Sequence, residues 1–110
     1  MRDGRLLLSD ILEAIVRIER YASDGRARFD ADELVQTWII HNLQIIGEAA
    51  RKLPDEVRSR ASDTHWLEIV SMRNILVHDY FGVDLETVWG TVVTDLPILK
   101  RRVQALLEEV

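Results

Sequence analysis

With 110 residues, 47% of them hydrophobic and 30% charged, the chain has the length of one domain spanning 1–110 and the composition of a soluble globular protein. It has no cysteine, which excludes disulfides and thiolate metal sites. The net charge of −5 and pI near 5.1 argue against a general nucleic-acid coat protein with a basic face, but leave room for a nuclease that needs one local cationic cluster.

No apolar run approaches the roughly 18 to 20 residues of a membrane helix. The opening Met1-Arg2-Asp3-Gly4-Arg5 lacks the apolar core of a signal peptide. A cytoplasmic location with no membrane contact is therefore expected.

Helical periodicity runs through the chain. A first helix is predicted from about Arg5 to Ala22, with Leu8, Ile11, Leu12, Ile15 and Ile18 facing inward. Ser23-Asp24-Gly25-Arg26 reads as a turn. Asp30 is placed as an N-cap, with Glu33 completing a capping box, and the second helix continues to Leu53, before Pro54. Asp55 to Arg60 forms a short helix. Asp63 or Thr64 caps a fourth helix that ends near Tyr80, with Gly82 as the stop. Asp84 caps a last helix reaching about Glu109. Pro97 lies inside that pattern and removes a backbone donor, so a kink or restart is expected near Asp95. No segment alternates with period two. The expectation is an all-α, antiparallel bundle of four main helices plus one short one.

The stretch Arg73-Asn74-Ile75-Leu76-Val77-His78-Asp79-Tyr80 carries the chemistry. It places a guanidinium, an amide, an imidazole and a phenol within about two turns. In helical projection Trp66, Ile69, Val77 and Tyr80 fall within roughly 40° of Arg73, so a cation sits in an apolar stripe. Such a cation is costly unless an anion meets it. One solution is structural: pairing with a carboxylate, for which Glu48 on the second helix is the obvious partner. The other is functional: docking a phosphate, for which a guanidinium is well shaped. Asn74 and His78 share a face, being four residues apart. Arg73 and His78 are separated by roughly 140° around a helix, so the arginine curls along the groove, the last turn unwinds, or a second copy completes the cleft. Taken alone, His78 near a helix end could simply complement the dipole, and Tyr80 could be a core aromatic.

Arg73-x4-His78-x-Tyr80 resembles the signature of the HepT-like branch of the HEPN superfamily. The similarity extends to His41-Asn42-Leu43-Gln44-Ile45-Ile46-Gly47-Glu48-Ala49-Ala50, to Trp66 and Met72-Arg73-Asn74, to Asp79-Tyr80-Phe81-Gly82-Val83-Asp84, and to Trp89 with Asp95-Leu96-Pro97. The resemblance implies an all-α bundle, usually dimeric, with the motif in a cleft between subunits. It implies a metal-independent endoribonuclease without a cofactor, acting as the toxin of a pair whose antitoxin is a minimal nucleotidyltransferase. It also implies silencing by AMP transfer to Tyr80. In this reading His78 serves as general base or acid, Arg73 neutralises charge on the phosphorane, Asn74 orients the imidazole or donates to the phosphate, and Glu48 and Asp79 support them. The alternative is a non-catalytic helical subunit that binds a nucleotidyltransferase and presents its substrate. An acidic pI suits that adaptor; a titratable group in the motif suits the enzyme.

The remaining candidates read as structural. His65 beside Trp66 is a surface residue. His41 and Glu48 could share a face but lack a third ligand for a metal. Lys100-Arg101-Arg102 form a solvated helix face more readily than an RNA contact. Trp38, Trp66 and Trp89 are expected to be core or interface anchors. No glycine-rich phosphate loop is present.

Overall fold

The computed structural model describes residues 3–78 and 84–109, with the side chains of 73–78 outside the described set. The first helix, α1 (Gly4–Ala22), starts where Asp3 accepts the amide of Leu6 at 2.9 Å. Its buried positions are Leu7, Leu8, Ile11, Ala14, Ile15 and Ile18, whereas Leu12 is only partly buried. The helix is therefore rotated slightly from the predicted face. Each fully buried leucine or isoleucine contributes about 1.5–3 kcal/mol relative to an exposed one. Gly4 allows the start of α1 to sit close against Val57, because a Cβ there would lie 2.8 Å from Val57 Cγ2.

Gly25 leaves α1 at φ 95°, in the region that favours glycine. A short helix α2 (Arg26–Ala31) follows, where the sequence suggested only a turn and a cap. Its purpose is to bury Phe29, which is 1% exposed and meets Trp89 with ring centroids 5.1 Å apart. This corrects the capping expectation. The N-cap of α3 (Glu33–Lys52) is Asp32, whose Oδ1 accepts the amides of Leu34 at 3.0 Å and Val35 at 3.3 Å. Asp30 belongs to α2 and pairs with Arg26 at 2.9 Å. Gln36 Nε2 donates to the Phe29 carbonyl at 2.9 Å, tying the end of α2 to α3.

Pro54 ends this stretch, and α4 (Asp55–Ser59) is the expected short helix. The chain then turns to α5 (Trp66–His78). Neither Asp63 nor Thr64 caps it as expected: Asp63 pairs with Arg102, and the buried Thr64 Oγ1 has no hydrogen bond among the described residues. The backbone carbonyl of His65 accepts the first helical bonds instead, from Glu68 and Ile69 at 3.1 Å each. The predicted end near Tyr80 and the stop at Gly82 lie outside the described residues.

Asp84 caps as expected, accepting the Glu86 amide at 3.0 Å and the Thr87 hydroxyl at 2.9 Å. The helix it starts is interrupted, however. A short α6 (Leu85–Gly90) runs into a π-helical turn (Thr91–Asp95), and α7 (Leu96–Glu109) resumes after it. Pro97 has no N–H to give to the carbonyl four residues back, and the mismatch is absorbed one turn earlier. There the Leu96 amide bonds to the Thr91 carbonyl, five residues away. Thr91 Oγ1 adds a back-bond to the Thr87 carbonyl at 3.0 Å, a contact that favours bending.

The long helices pack as α1 on α3, α3 on α5 and α7 on α1, with α2 laid against α3. The core draws on all of them: Leu8, Ile15, Ile39, Leu43, Ile46 and Val103 are fully buried, and Phe29 of α2 and Trp66 of α5 are buried with them. The protein is all-α, with no strand among the described residues. No helix among those residues is long and apolar enough to cross a membrane.

Candidate functional site

The backbone of α5 is helical through His78, so Arg73, Asn74 and His78 occupy its last two turns in uninterrupted register. Their side chains lie outside the described residues, as do Asp79 and Tyr80 entirely. What surrounds this stretch is described. The first turns of α5 are anchored by Trp66, 6% exposed, whose indole N–H donates to the Ala61 carbonyl at 3.1 Å. That bond fixes the entry of α5 against the preceding turn and so sets the height at which the motif stands along α3.

Glu48, expected in support of the motif, sits half-buried on α3. Its Oε1 lies 2.7 Å from Arg51 Nη2 and 3.5 Å from Lys52 Nζ. The hydrogen bond from Arg51 comes first among the causes that hold this guanidinium above its usual pKa, followed by the charge of Glu48. Both of these partners belong to α3 itself.

A residue with no assigned role stands on the same helix. Asn42 is 0% exposed; its Nδ2 donates to the Trp38 carbonyl at 2.9 Å, while Oδ1 has no hydrogen bond among the described residues. Burying an unpaired acceptor is costly. The signal available in the sequence was an asparagine at a position whose helical neighbours, Ile39, Leu43 and Ile46, are all apolar and buried.

The other candidates resolve simply. His65 is exposed, with Nδ1 3.2 Å from Glu68 Oε2. His41 is exposed and stacks on Trp38, with centroids 5.9 Å apart and planes at 28°. No group of three potential metal ligands occurs among the described residues. Lys100 reaches Glu19 at 2.8 Å, and Arg102 pairs with Asp63. Two of the three cations on α7 thus brace the fold, leaving only part of the expected solvated face. Trp66 is a core anchor and Trp89 packs against Phe29, but Trp38 is 38% exposed.

Between α3, α5, α6 and α7 lies a groove of about 840 Å³. Leu43, Ile46, Val88, Leu96 and Leu99 form its apolar floor, and Ser71 and Met72 on α5 bring it up to the residue before Arg73.

Comparison with known proteins agrees with the residue pattern. The family model described as "Ribonuclease HepT-like" matches residues 11–106. A "Probable ribonuclease HepT" of Thermococcus cleftensis is 38% identical over 106 residues, covering 96% of each chain. A "Putative RNase" of Caldanaerobacter subterraneus subsp. tengcongensis is 36% identical over 110 residues, covering 99% of this chain and 98% of that protein. A "Gamma-glutamylcyclotransferase and putative RNase" of Methanocaldococcus jannaschii is 38% identical over 109 residues. This chain corresponds to 49% of that longer protein's length. No solved structure matches. Matched along nearly its whole length by the family model and by relatives of its own size, the chain belongs to the HepT-like ribonuclease family.

Proposed function

We propose that the protein is a metal-independent endoribonuclease, the toxin of a pair whose antitoxin is a minimal nucleotidyltransferase. The observation that carries this reading is an intact Arg73-x4-His78-x-Tyr80 motif inside a chain that belongs to the HepT-like ribonuclease family. Its relatives, named as ribonucleases or RNases, point the same way.

In the proposed chemistry Arg73 neutralises the charge that builds on the phosphorane oxygens. His78 takes the proton from a ribose 2′-hydroxyl or supplies one to the departing 5′-oxygen; an imidazole with a pKa near 6.5 can do either at neutral pH. The 2′-oxygen bonds to phosphorus, the P–O5′ bond breaks, and the products are a 2′,3′-cyclic phosphate and a 5′-hydroxyl. Asn74 orients the imidazole or donates to the phosphate. In a twofold dimer the motifs of both copies line one cleft, so acid and base can come from different chains. AMP transferred to Tyr80 would block that cleft by bulk and charge.

The test is incubation of purified protein with RNA in EDTA. Cleavage leaving cyclic phosphate ends is expected, with His78→Ala and Arg73→Ala each inactive although helical by circular dichroism. Undiminished cleavage by His78→Ala would eliminate the assignment. Exposure to the nucleotidyltransferase and ATP should add one adenylate to the protein, and Tyr80→Phe should abolish that addition.

A further inference from the structure

Trp38 is the tryptophan that the core leaves out. Trp66 is buried and Trp89 packs on Phe29, whereas Trp38 is 38% exposed on α3. It does not stand alone. The imidazole of His41, three residues on and also exposed, stacks against it with the planes at 28°. That spacing holds both rings on one helix face, so the pair is formed in advance and loses little freedom when a further flat ring is added. A scattered surface hydrophobe needs no account. Two stacked rings open to water offer the surface on which an unpaired base packs.

The charge along α3 suits the same ligand. The chain carries 19 aspartates and glutamates, yet none falls between Leu34 and Gly47, a run of about four turns. A polyanion laid there meets no carboxylate of this helix. The grip on phosphate elsewhere is limited: the net charge is −5, and Lys100 and Arg102 are engaged by Glu19 and Asp63. Contacts to the bases are then the larger source of affinity for a strand.

The pair also stands at the height of the motif. The chain turns back through α4, so α5 runs antiparallel along α3. Leu43 and Met72 line the same groove. Five residues back from Leu43 is Trp38, and five on from Met72 is Val77 beside His78. Both steps cover about 7.5 Å in the same direction along the bundle.

We propose that Trp38 and His41 form a stacking platform for one nucleobase of single-stranded RNA, close to the phosphate that is cut. The platform takes its ligand from the ribonuclease reading and adds a site outside Arg73–Tyr80. A duplex keeps its bases stacked inside and cannot use it. Every base has a π-face, so little sequence preference is expected from this contact.

The probe is a single strand of about ten 2′-O-methyl ribonucleotides, which lacks the free 2′-hydroxyl needed for cleavage. It is titrated against the full chain by tryptophan fluorescence and by anisotropy of a fluorescein label. Saturable quenching is expected. Trp38→Ala should weaken binding roughly tenfold or more, and His41→Ala several-fold. Trp38→Phe should remove most of the quenching yet keep the affinity within about threefold, because phenylalanine also presents a π-face. Leu34→Ala, at a neighbouring leucine that is 81% exposed, should change nothing. An abasic strand of equal length and the annealed duplex should bind no better than the single strand binds Trp38→Ala. These substitutions leave the Trp38 carbonyl that Asn42 holds, so helicity by circular dichroism should be unchanged.

Absence of saturable binding, undiminished affinity of Trp38→Ala, or equal binding of the abasic strand overturns the proposal. So does conversion of a homodimer to monomer by Trp38→Ala in sedimentation velocity, which would make a second copy the occupant. Failure of the ribonuclease reading looks different: the wild-type protein would bind the strand with this dependence on Trp38 and leave unmodified RNA uncut.

Discussion

Replacing Asn42 by leucine should stabilise this protein. Asn42 is 0% exposed, and its Oδ1 has no hydrogen bond among the described residues. An acceptor buried in that way costs about 1–3 kcal/mol. The substitution also removes the Nδ2 bond to the Trp38 carbonyl, worth about 0.5–1.5 kcal/mol net. That carbonyl keeps the backbone bond of the helix, so nothing new is stranded. Leucine then buries apolar surface among Ile39, Leu43 and Ile46, worth about 1.5–3 kcal/mol if fully accommodated, less the cost of fitting a branched end into an occupied site. The balance is a gain of about 2 kcal/mol, or a rise in Tm of roughly 8 °C for a chain of this size. Urea unfolding followed by circular dichroism should show a higher midpoint at unchanged slope. Asn42→Asp keeps the shape and adds a charge; burial penalises that charge, so the variant should be destabilised at pH 7 and recover as pH falls toward about 4. A lower midpoint for Asn42→Leu would refute the reasoning, because it would mean that the buried oxygen is paired in solution.

Three further outcomes are expected. Trp66→Phe removes the indole donor to Ala61, whose carbonyl keeps the Thr64 amide at 3.0 Å, so the loss is that of one hydrogen bond, about 0.5–1.5 kcal/mol in urea unfolding; no loss would mean that the bond does not anchor α5. Gly25→Ala forces a side chain into φ 95°, ψ 171°, a conformation essentially reserved for glycine, and should cost about 1–3 kcal/mol by the same assay. Asp32 has its carboxyl held below the usual value, first by the Arg28 hydrogen bond and then by the Val35 and Leu34 amides. A depressed folded pKa means that its stabilisation is present above the ordinary carboxylate range and is lost as pH falls below about 4. Asp32→Asn keeps an acceptor for the cap but cannot titrate, so the acid limb of a stability–pH curve should flatten; an unchanged limb would show that this cap does not contribute to it.

Local patterns in the chain carried much of the fold. The apolar repeat defined α1, the Asp84 cap and the proline after Leu53 marked boundaries, and the missing donor at Pro97 announced an irregularity near Asp95. The motif from Arg73 to Tyr80 carried the family. All of these depend on a few residues close in sequence, where period, capping and steric rules act directly.

Other features came from partners distant in sequence. Asp30 and Asp32 are equally plausible caps by local chemistry, and the choice fell to Asp32 because burying Phe29 against Trp89 draws residues 26–31 into a separate helix. Lys100 and Arg102 look like a solvated basic patch until Glu19 and Asp63 are brought opposite them. Asn42 stands among apolar helical neighbours in the sequence, but only packing shuts water away from it. The groove has no sequence signature at all, since its floor and lips come from four helices. A helix's own period determines which residues share a face, but only the meeting of distant segments decides what that face touches and whether water remains.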